Sequence, residues 1–287
     1  MANSLRDVKI RIESTKSTAQ ITKAMYMVSQ SKVTKALEQY NSYKDFMQRI
    51  ADLVYNVASD ESILDVHPLL KEREIKKRCY LIITSDRGLA GVYNSSIYKA
   101  LEEEVVDKND FIVAAIGKQG YSFLKRKKYK LIKDEPTLVR DDVMFLDIVP
   151  LANEIIAMYL NNEIDELIII YNHYINSLTN EIHKERILPI SKIEGSKSNE
   201  NYIFEAGVEH TLDMILPMYV KDMIYGIILD AKAAEHCSRR NAMKNATDNA
   251  DKVISKLQIL YNRARQDVIT NELIDIVGGA NAIGGDN

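Results

Sequence analysis

The stretch CYLIITSDRGLAGVYN, residues 79–94, passes from an unbroken apolar run to a glycine-bearing turn and then into a helical pattern. A continuous apolar run, rather than strict alternation, marks a strand buried on both faces, so Cys79–Thr84 reads as such a strand. Phe111–Ile116 and Leu167–Tyr171 have the same texture. Helical patterns over 95–107, 118–127 and 145–161 alternate with these runs. Strands alternating with helices predict a small, mostly parallel, Rossmann-like α/β sheet. Glu181–Ile190 is expected as an edge strand, and SKIEGSKSNE, residues 191–200, as a linker or loop.

Working outward, the flanks change character. Residues 3–58 contain neither proline nor glycine. Apolar residues recur there at helical spacing: Ile21, Met25 and Val28, then Phe46, Met47, Ile50, Leu53, Val54 and Val57. Ser4 is the expected N-cap, with Asp7 at the capping-box position. One unbroken helix over this span would be roughly 84 Å long, beyond ordinary globular helices. Residues 208–277 mirror it, with a stripe from Leu212 through Val253, Leu257, Tyr261 and Val268 to Val277. Ala231, Ala234, Ala242 and Ala246 would let two helices approach closely. Pro217 predicts a helix start or a bend, and Gly278-Gly279 predicts its stop, ahead of a loose tail. The expected architecture is an α/β domain inserted between long N- and C-terminal helices that form an antiparallel coiled coil. Its boundaries are 1–58 for the first helix, 75–195 for the α/β domain and 208–287 for the second helix and tail.

Composition narrows the function classes. The 287 residues carry a net charge of -3, which offers no bulk attraction to nucleic acid. Met1–Lys35 holds seven Lys or Arg against two acidic residues, either a solvated face or a contact for an acidic partner. Cys79 and Cys237 match no metal or redox spacing, and a reducing compartment fits them. The N-terminus lacks an apolar signal core, and no stretch reaches the ~18–20 apolar residues of a membrane span. An intracellular chain, soluble or peripheral on a complex, is expected.

A search for chemistry returns little. Gly88 and Gly91 follow a strand, where phosphates often bind, but their spacing is neither the dinucleotide fingerprint nor the phosphate loop ending in Lys-Ser/Thr. A tight structural turn is the expectation. His67, His173, His183, His210 and His236 make no i, i+4 pair and no Cys/His cluster, so no metal is expected. Glu102-Glu103-Glu104 reads as a surface charge run, and no serine sits in a nucleophile elbow. No catalytic residue, cofactor or metal site is predicted.

Three stretches together resemble one family. Residues 11–32, RIESTKSTAQITKAMYMVSQSK, are similar to the N-terminal helix of the gamma subunit of F-type ATP synthases. Residues 241–283, NAMKNATDNADKVISKLQILYNRARQDVITNELIDIVGGANAI, resemble that family's C-terminal signature, and SDRGLAGVYN, residues 85–94, resembles its Ser-Asp-Arg-Gly-Leu turn. The order is right and nearly the whole chain is spanned. The resemblance implies a non-catalytic rotor of the central stalk, peripheral at the cytoplasmic face of a bacterial membrane. Its partners would be the alpha and beta subunits of the catalytic hexamer, the epsilon subunit and the c-ring, with H⁺ or Na⁺ flow coupled to ATP synthesis or hydrolysis. By match to the family's motifs, Lys23, Met25 and Arg239 would meet the lever region of a beta subunit. Arg265, Gln266 and Thr270 would meet its catch loop, Ile274 and Val277 would form an apolar bearing, and Tyr202 would face the c-ring and epsilon. The two close cysteines of the plastid form have no counterpart, and position 26 is tyrosine where relatives often carry a charge. Two other readings compete: a coiled-coil adaptor with an inserted α/β domain, and a nucleotide-using α/β protein with helical arms.

Overall fold

The computed structural model describes residues 5–58, 67–105, 111–138, 140–190 and 208–284. Nine elements follow one another: α1 (Leu5–Ala58), β1 (Arg78–Ile83), α2 (Tyr93–Glu104), β2 (Phe111–Ile116), α3 (Lys118–Lys127), α4 (Phe145–Leu160), β3 (Glu166–Tyr174), β4 (Asn180–Leu188) and α5 (Val208–Gly284). The expected Ser4 cap and the 191–200 linker lie outside the described residues. The chain divides into two compact units, Met1–Val28 with Arg240–Asn287, and Ser29–Arg239. Each long helix therefore contributes to both units, and the α/β-bearing unit is larger than the 75–195 read from sequence.

In the larger unit the sheet order is β2-β1-β3-β4. The first three strands are parallel and β4 is an antiparallel edge. Alternate residues of the apolar runs point to opposite faces, so each face finds its own core. On one face Leu81, Ile83, Leu167 and Ile169 pack with Ile148, Leu151 and Ile155 of α4, with Leu212–Ala231 of α5, and with Ala51 and Val54 of α1. On the other, Tyr80, Ile82, Val113 and Ile170 pack with Ile97 and Leu101 of α2 and Phe123 and Leu124 of α3. Leu69 and Leu70 join the first cluster, and Ile190 N donates to Leu69 O, so the body begins before residue 75.

Three helical expectations change. Ile21 and Val28 are 61% and 56% exposed, and Met25 is half-buried. The seam α1 buries runs through Val8, Ile12, Thr15, Ala19, Thr22, Tyr26, Ser29, Val33, Ala36, Tyr40, Tyr43, Met47, Ile50 and Val54, all buried or half-buried, so Met47, Ile50 and Val54 of the expected stripe belong to it. These alternate at four and three residues, the heptad spacing of a coiled coil. Ile21, Met25 and Val28 each stand one residue before a seam position, about 100° around the helix. Secondly, Pro217 neither starts nor ends α5, which runs from Val208. Leu212, Leu216 and Val220 are fully buried around it, and fully burying a side chain of this size contributes about 1.5–3 kcal/mol, which together offsets the proline's cost of about 3 kcal/mol. Thirdly, α5 continues through Gly278-Gly279 to Gly284. Neither glycine takes the left-handed conformation of a C-cap, so both remain helical at about 1 kcal/mol each.

The smaller unit is an antiparallel helix pair. The hydroxyls of Thr22 and Thr247 lie 2.8 Å apart and fix the register. Met243, Thr247, Ala250, Ile254, Leu257, Tyr261 and Ala264 form the facing seam on α5, again buried or half-buried. That register sets Leu5 opposite Ala264. From Arg265 to Gly279 every residue of α5 is exposed.

The turn between β2 and α3 demands glycine. Gly117 has φ +95°, and a Cβ there would stand 2.2 Å from Thr84 O. Gly117→Ala should destabilise the chain by about 2–4 kcal/mol, from backbone strain and overpacking together. Gly88→Ala, with nothing within 4 Å of the added carbon, should stay within about 0.5 kcal/mol. Denaturant unfolding of both variants checks the contrast through the midpoint at unchanged slope.

Candidate functional site

The SDRGLAG turn is tied into the chain rather than open to a ligand. The first amides of α3 are taken: Lys118 N donates to Asp86 Oδ1 (2.9 Å), Gln119 N to Ser85 O (3.1 Å) and Gly120 N to Thr84 Oγ1 (2.9 Å). An anion placed there would meet the Asp86 carboxylate, which already complements the helix dipole. Ser85 Oγ donates to Arg87 O, and Ser85 N donates to Asn94 Oδ1. Leu89 adopts φ 63°, a left-handed conformation that a branched side chain takes only when its surroundings hold it there.

The holder comes from α5. Arg239 is buried; its Nη2 donates to Arg87 O at 3.0 Å and lies 2.8 Å from Glu235 Oε1, and its Nε is 3.5 Å from Gly88 O. Glu235 is shared with Lys232 at 3.1 Å. The guanidinium expected at a beta-subunit contact is thus committed within the chain. Guanidinium suits this use because its planar fork reaches several acceptors at once.

Further polar contacts surround the same part of α5. Asp230 accepts from Tyr174 N at 3.0 Å and meets His173 Nδ1 at 2.5 Å. Burial pushes the Asp230 carboxyl above its ordinary value, outweighing the lowering effect of those two bonds. Asn180 Nδ2 donates to Ala234 O and Ser238 Oγ, and Tyr93 OH donates to Ala231 O. On another side His236 Nε2 lies 3.2 Å from Asp141 Oδ1, while Lys32 of α1 donates to Asp141 Oδ2 at 2.5 Å. The contact with His236, together with that from Lys32 and against partial burial, holds the Asp141 carboxyl far below the usual range. Sequence reading missed these residues because their partners are distant in the chain. The available signal was the concentration of Asp230, Lys232, Glu235, His236 and Arg239 among alanines, too small to cover charged neighbours in water.

The other described sequence-derived positions all lie in the smaller unit. Lys23 is exposed and Met25 half-buried on α1; Arg265, Gln266, Thr270, Ile274 and Val277 are all exposed on α5. Tyr202 lies outside the described residues. Among the described residues, no group of His, Cys, Asp and Glu could hold a metal, and no helix is long and apolar enough to cross a membrane.

A carboxyl whose value is depressed by folding stabilises the native state above the ordinary carboxylate range, and that contribution fades as pH falls through it and below. Asp141→Asn should therefore lower stability at pH 7, with the gap to the parent narrowing below about pH 4. Denaturant titrations at both pH values check this.

Known proteins share this arrangement. A family model described as ATP synthase matches residues 4–283. A chain from the central stalk and c-ring of Tetrahymena thermophila mitochondrial ATP synthase is 23% identical, with TM-score 0.60, covering 79% of this chain and 99% of its own. A chain from the Euglena gracilis mitochondrial ATP synthase OSCP/F1/c-ring structure is 16% identical, with TM-score 0.70, covering 99% and 95%. One from the rotor of the Euglena enzyme, also 16% identical, has TM-score 0.65 and covers 93% and 99%. At these identities the solved structures establish a shared fold, two long helices around a sheet of this topology, and the family model supplies the kinship. The chain belongs to the ATP synthase gamma-subunit family, and is a non-catalytic rotor subunit of the central stalk.

Proposed function

We propose that this rotor subunit seats the unaccompanied end of α5 in the central opening of a hexamer of alternating alpha and beta subunits. Its α/β body, with the epsilon subunit, rests on the c-ring at the cytoplasmic face of a bacterial membrane, one copy per complex. H⁺ or Na⁺ flow turns the ring and with it this chain. The observation that carries the reading is the exposure of α5 beyond the reach of α1, where Ile274 and Val277 are 62% and 57% exposed. Apolar contact is non-directional, so such a surface can turn inside a sleeve without breaking a hydrogen bond at each step. One helix inside a three-fold ring cannot present the same face to all three beta subunits. That difference is what biases their conformations in turn. Carrying one site from 1:99 to 99:1 takes a differential of ~5.5 kcal/mol, and a shaft that contacted all states equally would bias none.

Within this reading Arg265, Gln266 and Thr270 contact a beta subunit beside the bearing formed by Ile274 and Val277. Arg265 offers a fork suited to a carboxylate. Lys23 and Met25 contact the hexamer from α1, and Tyr202 faces the c-ring and epsilon. Arg239 is assigned to holding the turn. A bead attached to the α/β body of the chain assembled with alpha and beta subunits should turn stepwise in one direction with ATP and stop without it. Absence of a stable complex, where an authentic gamma control assembles, would defeat the reading. Arg265→Glu with Gln266→Ala should cut ATP-driven ion pumping several-fold while nucleotide binding on beta is unchanged; undiminished pumping would remove these positions from the contact.

A further inference from the structure

A rotor of this construction needs one place where turning force passes between the α/β body and the helix that carries it. We infer that this place is a polar clasp around residues 230–239 of α5, with Asp230 and Asn180 as positioning residues that stop α5 from slipping against the body. The inference rests on the rotor reading and adds to it a location inside this chain.

Apolar packing resists separation, but it is non-directional and yields to sliding. Directional bonds resist shear, and a helix must be held from several sides to be held against rotation. From Gly226 to Cys237 every residue of α5 is buried. Within and just beyond that stretch, bonds arrive from different elements at different angles, since successive residues turn by about 100°. Asp230 is held by the end of β3, through His173 and the Tyr174 amide. Asn180, at the start of β4, holds both Ala234 O and Ser238 Oγ. Tyr93 of α2 holds Ala231 O, and Arg239 grips the turn before that helix. His236 is held from the loop before α4, through Asp141. The grip spans about 14 Å of helix at 1.5 Å per residue. Below it, Leu216 and Val220 join the body's apolar core, and the polar contacts are more widely spaced: Tyr43 OH donates to Asp222 Oδ1 and Tyr225 OH donates to Val143 O.

The test uses the assembled complex, with nucleotide turnover stopped and a bead on the α/β body. The angular variance of the bead reports torsional compliance. Asp230→Leu with Asn180→Leu removes the bonds at β3 and β4 while keeping volume; the donors left without an acceptor, Tyr174 N among them, make the double variant less stable, so assembly is checked first. The variance should rise at least two-fold and ATP-driven pumping should fall, while ATP hydrolysis by the assembled complex stays near the parent rate. If the double variant does not assemble, Asn180→Leu alone decides, with an expected rise of about 1.5-fold. An assembled variant with unchanged variance overturns the clasp. A parent chain that assembles but never rotates overturns the rotor reading instead, so the two failures are distinguishable. A role confined to stability would lower the unfolding midpoint and leave the variance where it was.

Discussion

The larger unit is organised by the complete enclosure of α5 from Gly226 to Cys237. A helix buried all round cannot turn its polar residues to water, and this one carries Asp230, Lys232, Glu235 and His236 there. Each must find a partner inside, because an uncompensated buried charge costs several kcal/mol. The end of β3 supplies the partners of Asp230 and the loop before α4 that of His236, while Lys232 and Glu235 pair along the helix with each other and with Arg239, which in turn holds the turn before α2. Met47 crosses α5 at Gly226, where a Cβ would stand 2.0 Å from its sulfur, so close helix approach and enclosure occur together.

Much of this was legible. Apolar runs located β1, β2 and β3, because a strand buried on both faces has no polar alternation to obscure it. The helical pattern at 118–127 matched α3, and that at 145–161 matched α4 within one residue. β3 extends to Tyr174 and β4 starts at Asn180, since hairpin pairing continues through polar residues that hydropathy cannot read. At the turn, sequence did not show that Asp86 fills the terminus of the following helix.

The N-terminal half of the α1 seam was not legible for a definite reason. Thr15, Thr22, Tyr26 and Ser29 occupy positions where hydrophobic reading looks for Leu or Ile. Thr22 meets Thr247 hydroxyl to hydroxyl, so its polarity is satisfied at the interface. Reading apolarity alone shifts the stripe by one residue, onto Ile21 and Val28, which face outward. Polar seam positions of this kind fix register at some cost in stability. Arg239 has intrachain partners that were illegible for the converse reason: an arginine in a helical signature does not reveal the turn it grips, far away in the chain, until that turn is folded beside it.

The solitary end of α5 also bears on how the chain survives before it has partners. Leu273, Ile274, Ile276 and Val277 lie open to water on one helix. A contiguous apolar face of this kind invites association with unfolded chains and with other copies of itself. Among the described residues no neighbouring helix covers this end, and an isolated helix of this length is marginal in water. Subunits that closed around the tip early in biogenesis would shield the sticky surface and reinforce the helix there. Folding of the last turns and recruitment of the surrounding ring would then be one thermodynamic event, and the ring's affinity for this chain would be discounted by the disorder it removes.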